Sequence, residues 1–359
     1  MAINKFGLPS EETSVRMAEA LEKMAETKTQ ADYSNAPGNK YLLDGDRQAG
    51  WFGLVQASDL ITGDALATQL GITAGASQNS DTPWIKYIID GKICFKTLKT
   101  VRFSIPWDAI YNAGAVYGDG SIGTLPPAGR LGTELTIDSS DNSINTTTHF
   151  LGGKSSVNDH YDDVGVFGDT IVLAGWTNSA NNGSFTIDSI TDTKIVVSGG
   201  TLVSETGTRT SKMYNDANKV TQNAQVVING LTYRVRLMKG GANDPLDSYS
   251  SGDRGSIGDA NEWNKIILPL HERAKTQNWV FPAYAGNTEY WGADLTDRDM
   301  RTHYQFGNGS YHWCQETRDD TQTFRRVSRG YVGASDLIAN VSWDTGGYVG
   351  WAPVLELIG

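Results

Sequence analysis

The sequence predicts a mainly β, loop-rich chain. One α+β main domain is split by a small antiparallel β module and preceded by a single helix. Three observations carry this. The chain has 40 glycines against 10 prolines, and with many Thr, Ser and Asn residues this favours short strands and tight turns over helix. Asp90-Gly91 and Asn229-Gly230 each sit between β-rich runs, a strong signal for a two-residue hairpin. From about Leu131 to Arg209 the chain becomes rich in Thr, Ser, Asp and Asn and poor in aromatics, and afterwards the first texture returns.

Residues 10–28 read as a helix, with Ser10 as cap and Glu11 and Glu12 in the first turn. Val15, Ala18, Leu21 and Met24 recur at helical spacing and form a narrow apolar stripe. A lone helix before a polar linker, Thr27 to Lys40, cannot bury that stripe on itself. It docks either on the body or on another subunit, and a docking or oligomerisation arm is the favoured reading. Trp51-Phe52-Gly53-Leu54-Val55 reads as a strand, and Ser58 to Leu66 as a turn entering a short helix that Gly71 stops. Trp84 to Ile89 and Lys92 to Lys96 flank the first hairpin turn. Arg102 to Ile105 is a further strand, and Trp107 to Ala113 a short helix ended by Gly114.

Pro126-Pro127 marks the approach to the middle block, where Glu134–Asp138, Thr170–Ala174, Ser184–Ile190 and Lys194–Ser198 alternate with strand periodicity. Their spacing suggests a small antiparallel sandwich or barrel. Ala224 to Leu237 holds the second hairpin. The middle block thus reads as an insertion, of the kind tolerated where chain ends meet at a surface loop. The expected divisions are 1–40 for helix and linker, 41–129 with 216–359 for the discontinuous main domain, and 130–215 for the insertion. Asn261 to Arg273 is helix-like, with Trp263, Ile266, Ile267 and Leu270 on one face, and Pro269 leaves only its first turns secure. Short strands and long loops are expected from Trp279 to Gly359.

Composition narrows the function classes. The net charge of −11 and pI near 4.9 argue against nucleic-acid or anionic-membrane partners, which need a positive face. Arg325, Arg326 and Arg329 lie close together but follow Glu316, Asp319 and Asp320, with which they are expected to pair. No signal-peptide run or transmembrane span stands out, so synthesis in a cytoplasm without export by that route is expected. Cys94 and Cys314 read as two buried thiols.

Candidate chemistry is sparse. Glu316 with Asp319 or Asp320, and Asp294 with Asp297 and Asp299, are paired carboxylates, but sequence neighbours seldom meet glycosidase geometry. His303, His312 and Cys314 lack the spacing of a zinc site. Asp159-His160-Tyr161-Asp162-Asp163 lacks the spaced ligands and closing Glu of a calcium loop. Neither a nucleophile elbow nor a phosphate loop is present. The expectation is a non-enzyme with no cofactor and no metal. Binding fits better. Six of the ten tryptophans fall in the last hundred residues, at 263, 279, 291, 313, 343 and 351. Trp and Tyr bring large area, little entropy cost and one polar handle each. Tyr290, Trp291 and Tyr304, with Asn287, Asp294 and Asn308, form the candidate binding set, since rings can stack on sugars while Asn and Asp bond their hydroxyls. Trp263, Trp313 and Trp351 read instead as core.

Several ordered motifs add a resemblance. Gly50-Trp51-Phe52-Gly53, Ser58 to Leu66, Asp81-Thr82-Pro83-Trp84 with the Asp90-Gly91-Lys92 turn, Ser104-Ile105-Pro106-Trp107-Asp108 and Gly114-Ala115-Val116-Tyr117-Gly118 are similar to a recurrent tailed-bacteriophage virion protein. So are Tyr233 to Gly240, Asn261-Glu262-Trp263-Asn264, Trp313-Cys314-Gln315-Glu316, Arg326 to Gly330 and Gly350 to Glu356. The likeness covers about residues 41–129 and 220–359. In that family the close reads Gly-Trp-Arg-Pro-Val-Leu; here Ala352 stands in place of the Arg and removes a cation. The C-terminal part also resembles the C-type-lectin-like domains of phage adhesins and formylglycine-generating enzymes. The insertion resembles the small immunoglobulin-like modules of phage tails and capsids.

The resemblance implies a virion structural protein, a tail-fibre, tail-tip or spike component that attaches to the host envelope. The alternative is a capsid or collar decoration or scaffold protein that binds only other virion subunits. A polysaccharide-degrading enzyme is a distant third. Expected partners are other virion proteins, further copies of the chain, and a host-surface saccharide or protein. Neither nucleic acid nor membrane insertion is expected, and the location is the virion.

Overall fold

The computed structural model describes residues 13–19, 32, 34–147, 150, 164–246, 261–277, 279–280, 290–291, 311–318, 322–330 and 337–359; side chains are described for all of these except 271–277, 279–280 and 290–291. The chain is mainly β. Strands from both halves of the main region interleave in a seven-stranded sheet ordered Asp44–Gly45, Ala49–Val55, Trp84–Ile89, Lys92–Thr97, Val354–Leu357, Leu231–Arg236 and Gln225–Ile228. The C-terminal strand is the stitch. It lies between Lys92–Thr97 and Leu231–Arg236, with Leu355 opposite both Phe95 and Val235.

Both hairpin turns form as expected. Asp90 and Gly91 have φ of 48° and 77°, and Asn229 and Gly230 have 51° and 80°, the left-handed pair that a type I′ turn requires. The sheet is covered on both faces, so Trp84–Ile89 is buried at every position rather than alternating. Trp84 and Ile88 join one apolar cluster with Phe52, Phe95 and Val235. Ile85, Tyr87 and Ile89 join a second with Trp263, Ile266, Ile267 and Leu270. These last four come from the Glu262–Gln277 helix. That helix runs on through Pro269, where the sequence predicts only the first turns. Pro269 faces solvent, so the backbone carbonyl its missing N–H leaves unpaired is on the wet side, where water can satisfy it.

A second, six-stranded sheet runs Leu337–Val341, Arg325–Arg329, Tyr311–Thr317, Val349–Trp351, Arg102–Phe103 and Ala76–Ser77. Tyr311–Thr317 and Val349–Trp351 are parallel. Two short helices, Gly63–Gln69 and Trp107–Asn112, complete this part. The first is capped by the Thr62 hydroxyl, which accepts from the Ala65 N–H at 3.3 Å.

Strands between Arg130 and Asn215 form their own eight-stranded sheet. Arg130–Leu131 enters beside the exit strand Lys212–Asn215, with Leu131 opposite Lys212. Along Gly183–Ile190 the burial alternates, with Phe185 and Ile187 inward between exposed neighbours. The sheet is one continuous ladder, not the two facing sheets of a sandwich. Inward residues from most of its strands, including Leu135, Ile144, Ile171, Phe185, Ile195 and Met213, share one apolar cluster, which requires the sheet to curl over itself.

Near the N-terminus, residues 13–19 are helical, and Val15 (51% exposed), Met17 (46%) and Ala18 face solvent. The stretch expected to be a polar linker is partly fastened to the body. Asp32 Oδ2 accepts from Lys86 Nζ at 2.7 Å with both groups buried, and Lys86 also donates to the Asn39 carbonyl at 2.8 Å.

Candidate functional site

The Glu262–Gln277 helix leads into the aromatic stretch, and its first turn is fixed by charge. Tyr87 Oη donates to Glu262 Oε1 at 2.6 Å. Arg236 donates to both Glu262 oxygens at 2.7 and 2.8 Å, and the Lys239 N–H donates to Oε2 at 3.1 Å. Arg236 turns its Nε to Glu356 Oε2 at 3.0 Å, and Glu356 also pairs with Arg234 and Lys92 at 3.3 and 3.1 Å. A relay of charge therefore runs from the partly exposed Arg234 and Lys92 to the buried helix start. Burial opposes ionisation of Glu262, but the Arg236 guanidinium and the surrounding donors outweigh it and hold the carboxyl below its ordinary value. The Tyr87 hydroxyl is pushed well up by burial and by Glu262. Burial raises the Cys94 thiol to about 12 despite nearby Arg236, so it is an inert thiol.

Trp263 has two basic side chains at its ring, Lys96 Nζ at 5.6 Å and the Arg329 guanidinium at 5.7 Å, and stands edge-on to His312. Arg329 also donates to the Asn264 side chain. Lys96 Nζ lies 3.1 Å from His312 Nδ1 and donates to the Thr97 carbonyl at 3.1 Å. Burial lowers Lys96 to about 7, and burial together with Lys96 keeps His312 far below its usual value. His312 is thus a neutral partner of a buried lysine.

The other tryptophans of the motifs are cross-ties. Trp84 Nε1 donates to the Ile61 carbonyl at 2.8 Å, Trp107 Nε1 to Cys314 at 3.0 Å and Trp313 Nε1 to Ile105 at 2.8 Å. Trp263, Trp313 and Trp351 are buried, as the sequence reading expects. Among the described residues Arg326 pairs with no carboxylate. Its guanidinium stacks on Trp107 at 4.4 Å and donates to the carbonyls of Leu125, Pro126 and Thr323. Beside it, Thr323 Oγ1 accepts from the Leu131 N–H at 3.2 Å, and the Thr323 N–H donates to Glu134 Oε1 at 2.7 Å. This joint fastens the inserted sheet to the C-terminal one. Ala352 is 1% exposed, so an arginine at this place would enter a closed interior.

Of the candidate binding residues, Tyr290–Trp291 form a short strand paired with Trp279–Val280, with Trp291 opposite Trp279, and this ladder lies close to the Glu262–Gln277 helix. Asn287, Asp294, Tyr304 and Asn308 lie outside the described residues, as do Leu21 and Met24 of the helical stripe, Asp159 to Asp163, Asp297, Asp299, His303, Asp319 and Asp320. What sequence reasoning missed is the buried network of Tyr87, Arg236, Glu262 and Glu356, and the separate buried contact of Lys96 with His312. The signal for it was a charge repeatedly interrupting an otherwise apolar or aromatic strand, as in Trp84-Ile85-Lys86-Tyr87 and Phe95-Lys96.

Among the described residues no group of three or more His, Cys, Asp or Glu side chains could hold a metal, and no helix is long and apolar enough to cross a membrane. No family model and no curated protein matches the chain. Among solved structures it is similar to phage phi92 endosialidase, at 9% identity over 50% of this chain and 20% of that one, with a TM-score of 0.18. A similarity that slight carries no argument about fold or activity.

Proposed function

We propose that this chain is a virion structural protein of a tailed bacteriophage: a tail-fibre, tail-tip or spike component whose aromatic C-terminal region binds the host envelope. One observation carries the reading. The residues of the family-like motifs are the ones the fold uses as its internal framework: Trp84, Trp107 and Trp313 as cross-ties, Arg236, Glu262 and Glu356 as the charge relay. A resemblance seated in the framework supports a shared architecture, and the charged groups within it are engaged with one another, as structural groups are. The Tyr290–Trp291 strand follows the helix that this relay fixes, which supports a rigid mount for a binding surface built from Tyr290, Trp291, Asn287, Asp294, Tyr304 and Asn308. The finer fold assignment of the main region belongs to the same proposal: a C-type-lectin-like domain.

The test is adhesion of purified protein to host cells. Saturable binding that Trp291→Ala abolishes without changing the melting temperature supports the site, and undiminished binding by that variant removes it. A second reading, a decoration or scaffold protein binding only virion subunits, is favoured by the solvent-facing Val15, Met17 and Ala18 on the N-terminal helix. Deleting residues 1–30 discriminates: lost oligomers with intact adhesion assign the helix to assembly, and unchanged assembly refutes the arm.

A further inference from the structure

The loop from Ser342 to Tyr348 joins the strand Leu337–Val341 to the strand Val349–Trp351. Val341 pairs with Arg325 at one end of the six-stranded sheet, and Val349 pairs with Tyr311 at the other, because Arg325–Arg329 and Tyr311–Thr317 are antiparallel. The loop therefore travels from end to end of the sheet past the two strands between. Trp343 and Asp344 are half-buried on it, and Tyr348 is 37% exposed.

Trp343 is the exception among the tryptophans. Every other tryptophan whose side chain is described is buried. Trp84, Trp107, Trp176 and Trp313 donate the indole N–H to a backbone carbonyl. Trp343 packs against Phe324 with ring centroids 5.4 Å apart, and among the described residues its indole N–H has no acceptor. Beside it, Asp344 is held in one orientation. Its Oδ1 accepts from the Gly346 N–H at 2.7 Å and its Oδ2 from the Tyr348 hydroxyl at 2.8 Å. Tyr348 lies so close over the loop that glycine is required beneath it. A Cβ on Gly346 would stand 2.7 Å from Tyr348 Cε1 and Cζ and 3.0 Å from Asp344 Oδ1. The far side of the Tyr348 ring is braced edge-on by Tyr311 at 5.6 Å. A carboxylate has about four acceptor sites, so Asp344 keeps capacity for a ligand, and among the described residues no cation pairs with it.

We propose that Trp343 and Asp344 form a binding subsite for an uncharged saccharide, with Tyr348 as the residue that positions the carboxylate. A pyranose offers an apolar C–H face and an edge of hydroxyls. The indole supplies a face for the first and a free N–H for the second, and Asp344 accepts from a neighbouring hydroxyl. Charge selects against other small ligands. The Arg130 and Arg325 guanidiniums lie 5.3 and 5.9 Å from the Phe324 ring on which Trp343 packs, so a cation would enter beside two like charges. An anion would meet Asp344 directly. The subsite is separate from the Tyr290 and Trp291 set, and it rests on the adhesion reading for the source of its saccharide.

The test is calorimetric titration of the full chain with neutral polysaccharide purified from the host envelope. Trp343→Ala and Asp344→Ala should each weaken binding about tenfold, with unchanged melting temperatures. Tyr348→Phe keeps the ring and loses only the bond to Asp344. It should weaken binding severalfold in the wild type and have no further effect in Asp344→Ala, which a purely structural role would not produce. Absence of binding by the wild type, equal binding by Trp343→Ala, or displacement of the polysaccharide by tetramethylammonium overturns the subsite. If Trp343→Ala does not fold, Asp344→Ala decides. Adhesion to whole host cells separates the two levels. Cells bound equally by wild type and both alanine variants remove the subsite alone, and cells that the wild type does not bind remove the adhesion reading with it.

Discussion

The inserted sheet and the main region solve the same problem with different chemistry. Among the described residues of the inserted sheet the buried charges, Arg130 and Glu134, sit only at its entry, where it joins the C-terminal sheet; beyond them the buried polar side chains are the uncharged Ser143, Thr146, Asn181, Ser211 and Asn215, around a core of Leu, Ile, Val, Phe, Trp and Met. The main region buries Lys86, Lys96, Arg236, Glu262, Glu316, Arg326, Arg329 and Glu356. An apolar core is held by area removed from water and tolerates exchange of one hydrophobe for another. A core crossed by charge is held in one arrangement, because each charge has few acceptable partners. The contrast sets a sheet with its own apolar cluster against a main region fixed by buried charge.

The largest expected effect breaks the frame. Arg236→Met leaves Glu262 and Glu356 buried without their shared cation and should cost about 3–5 kcal/mol, read from urea unfolding. A cost below about 1 kcal/mol would show that the network is dispensable. Next, Ile187→Ala in the insertion should cost about 2–5 kcal/mol through a cavity. That cost should be nearly constant between pH 5 and pH 9, because its surroundings hold no buried charge; strong pH dependence would collapse the distinction between the two cores.

A third prediction concerns Lys96. Its folded value is lowered to about 7 from an ordinary lysine value of 10.5. Burying the ammonium therefore costs most below pH 7, and the cost fades as pH rises toward 10.5, where the unfolded chain also loses the proton. Lys96→Met should raise the melting temperature more at pH 6 than at pH 10, and equal shifts at both would contradict the assignment. The smallest effect belongs to the solvent side of the frame. Val227, 65% exposed on the edge strand, should accept Thr with a change within about 0.5 kcal/mol in the same urea assay.

These two chemistries also explain what could be read in advance. In Ser184-Phe185-Thr186-Ile187 only one face is buried, so alternation reveals the strand and its inward residues. Asp90-Gly91 and Asn229-Gly230 declare their hairpins because few other residues adopt positive φ. In Trp84–Ile89 both faces are buried and alternation disappears. There nothing local marks Lys86 as buried, because its partner Asp32 lies more than fifty positions away in a stretch that looked like linker. Arg326 looked ready to pair with nearby acids, but among the described residues its partners are the Trp107 ring and the carbonyls of Leu125, Pro126, Thr323 and Arg325. The single ladder of the insertion was likewise hidden, because periodicity marks strands without saying whether they close into one sheet or two. The candidate aromatic site was legible as composition only. Its mount, the Glu262 anchor, needed the folded chain to bring Tyr87, Arg236 and Glu356 together.

The central claim is that this frame belongs to a virion. Antibody raised to the purified protein, with gold labelling of intact particles from its source under the electron microscope, tests it directly. The account expects gold at the tail tip or along fibres. Gold over the capsid or collar would replace adhesion with decoration, and particles free of gold would contradict the virion assignment itself.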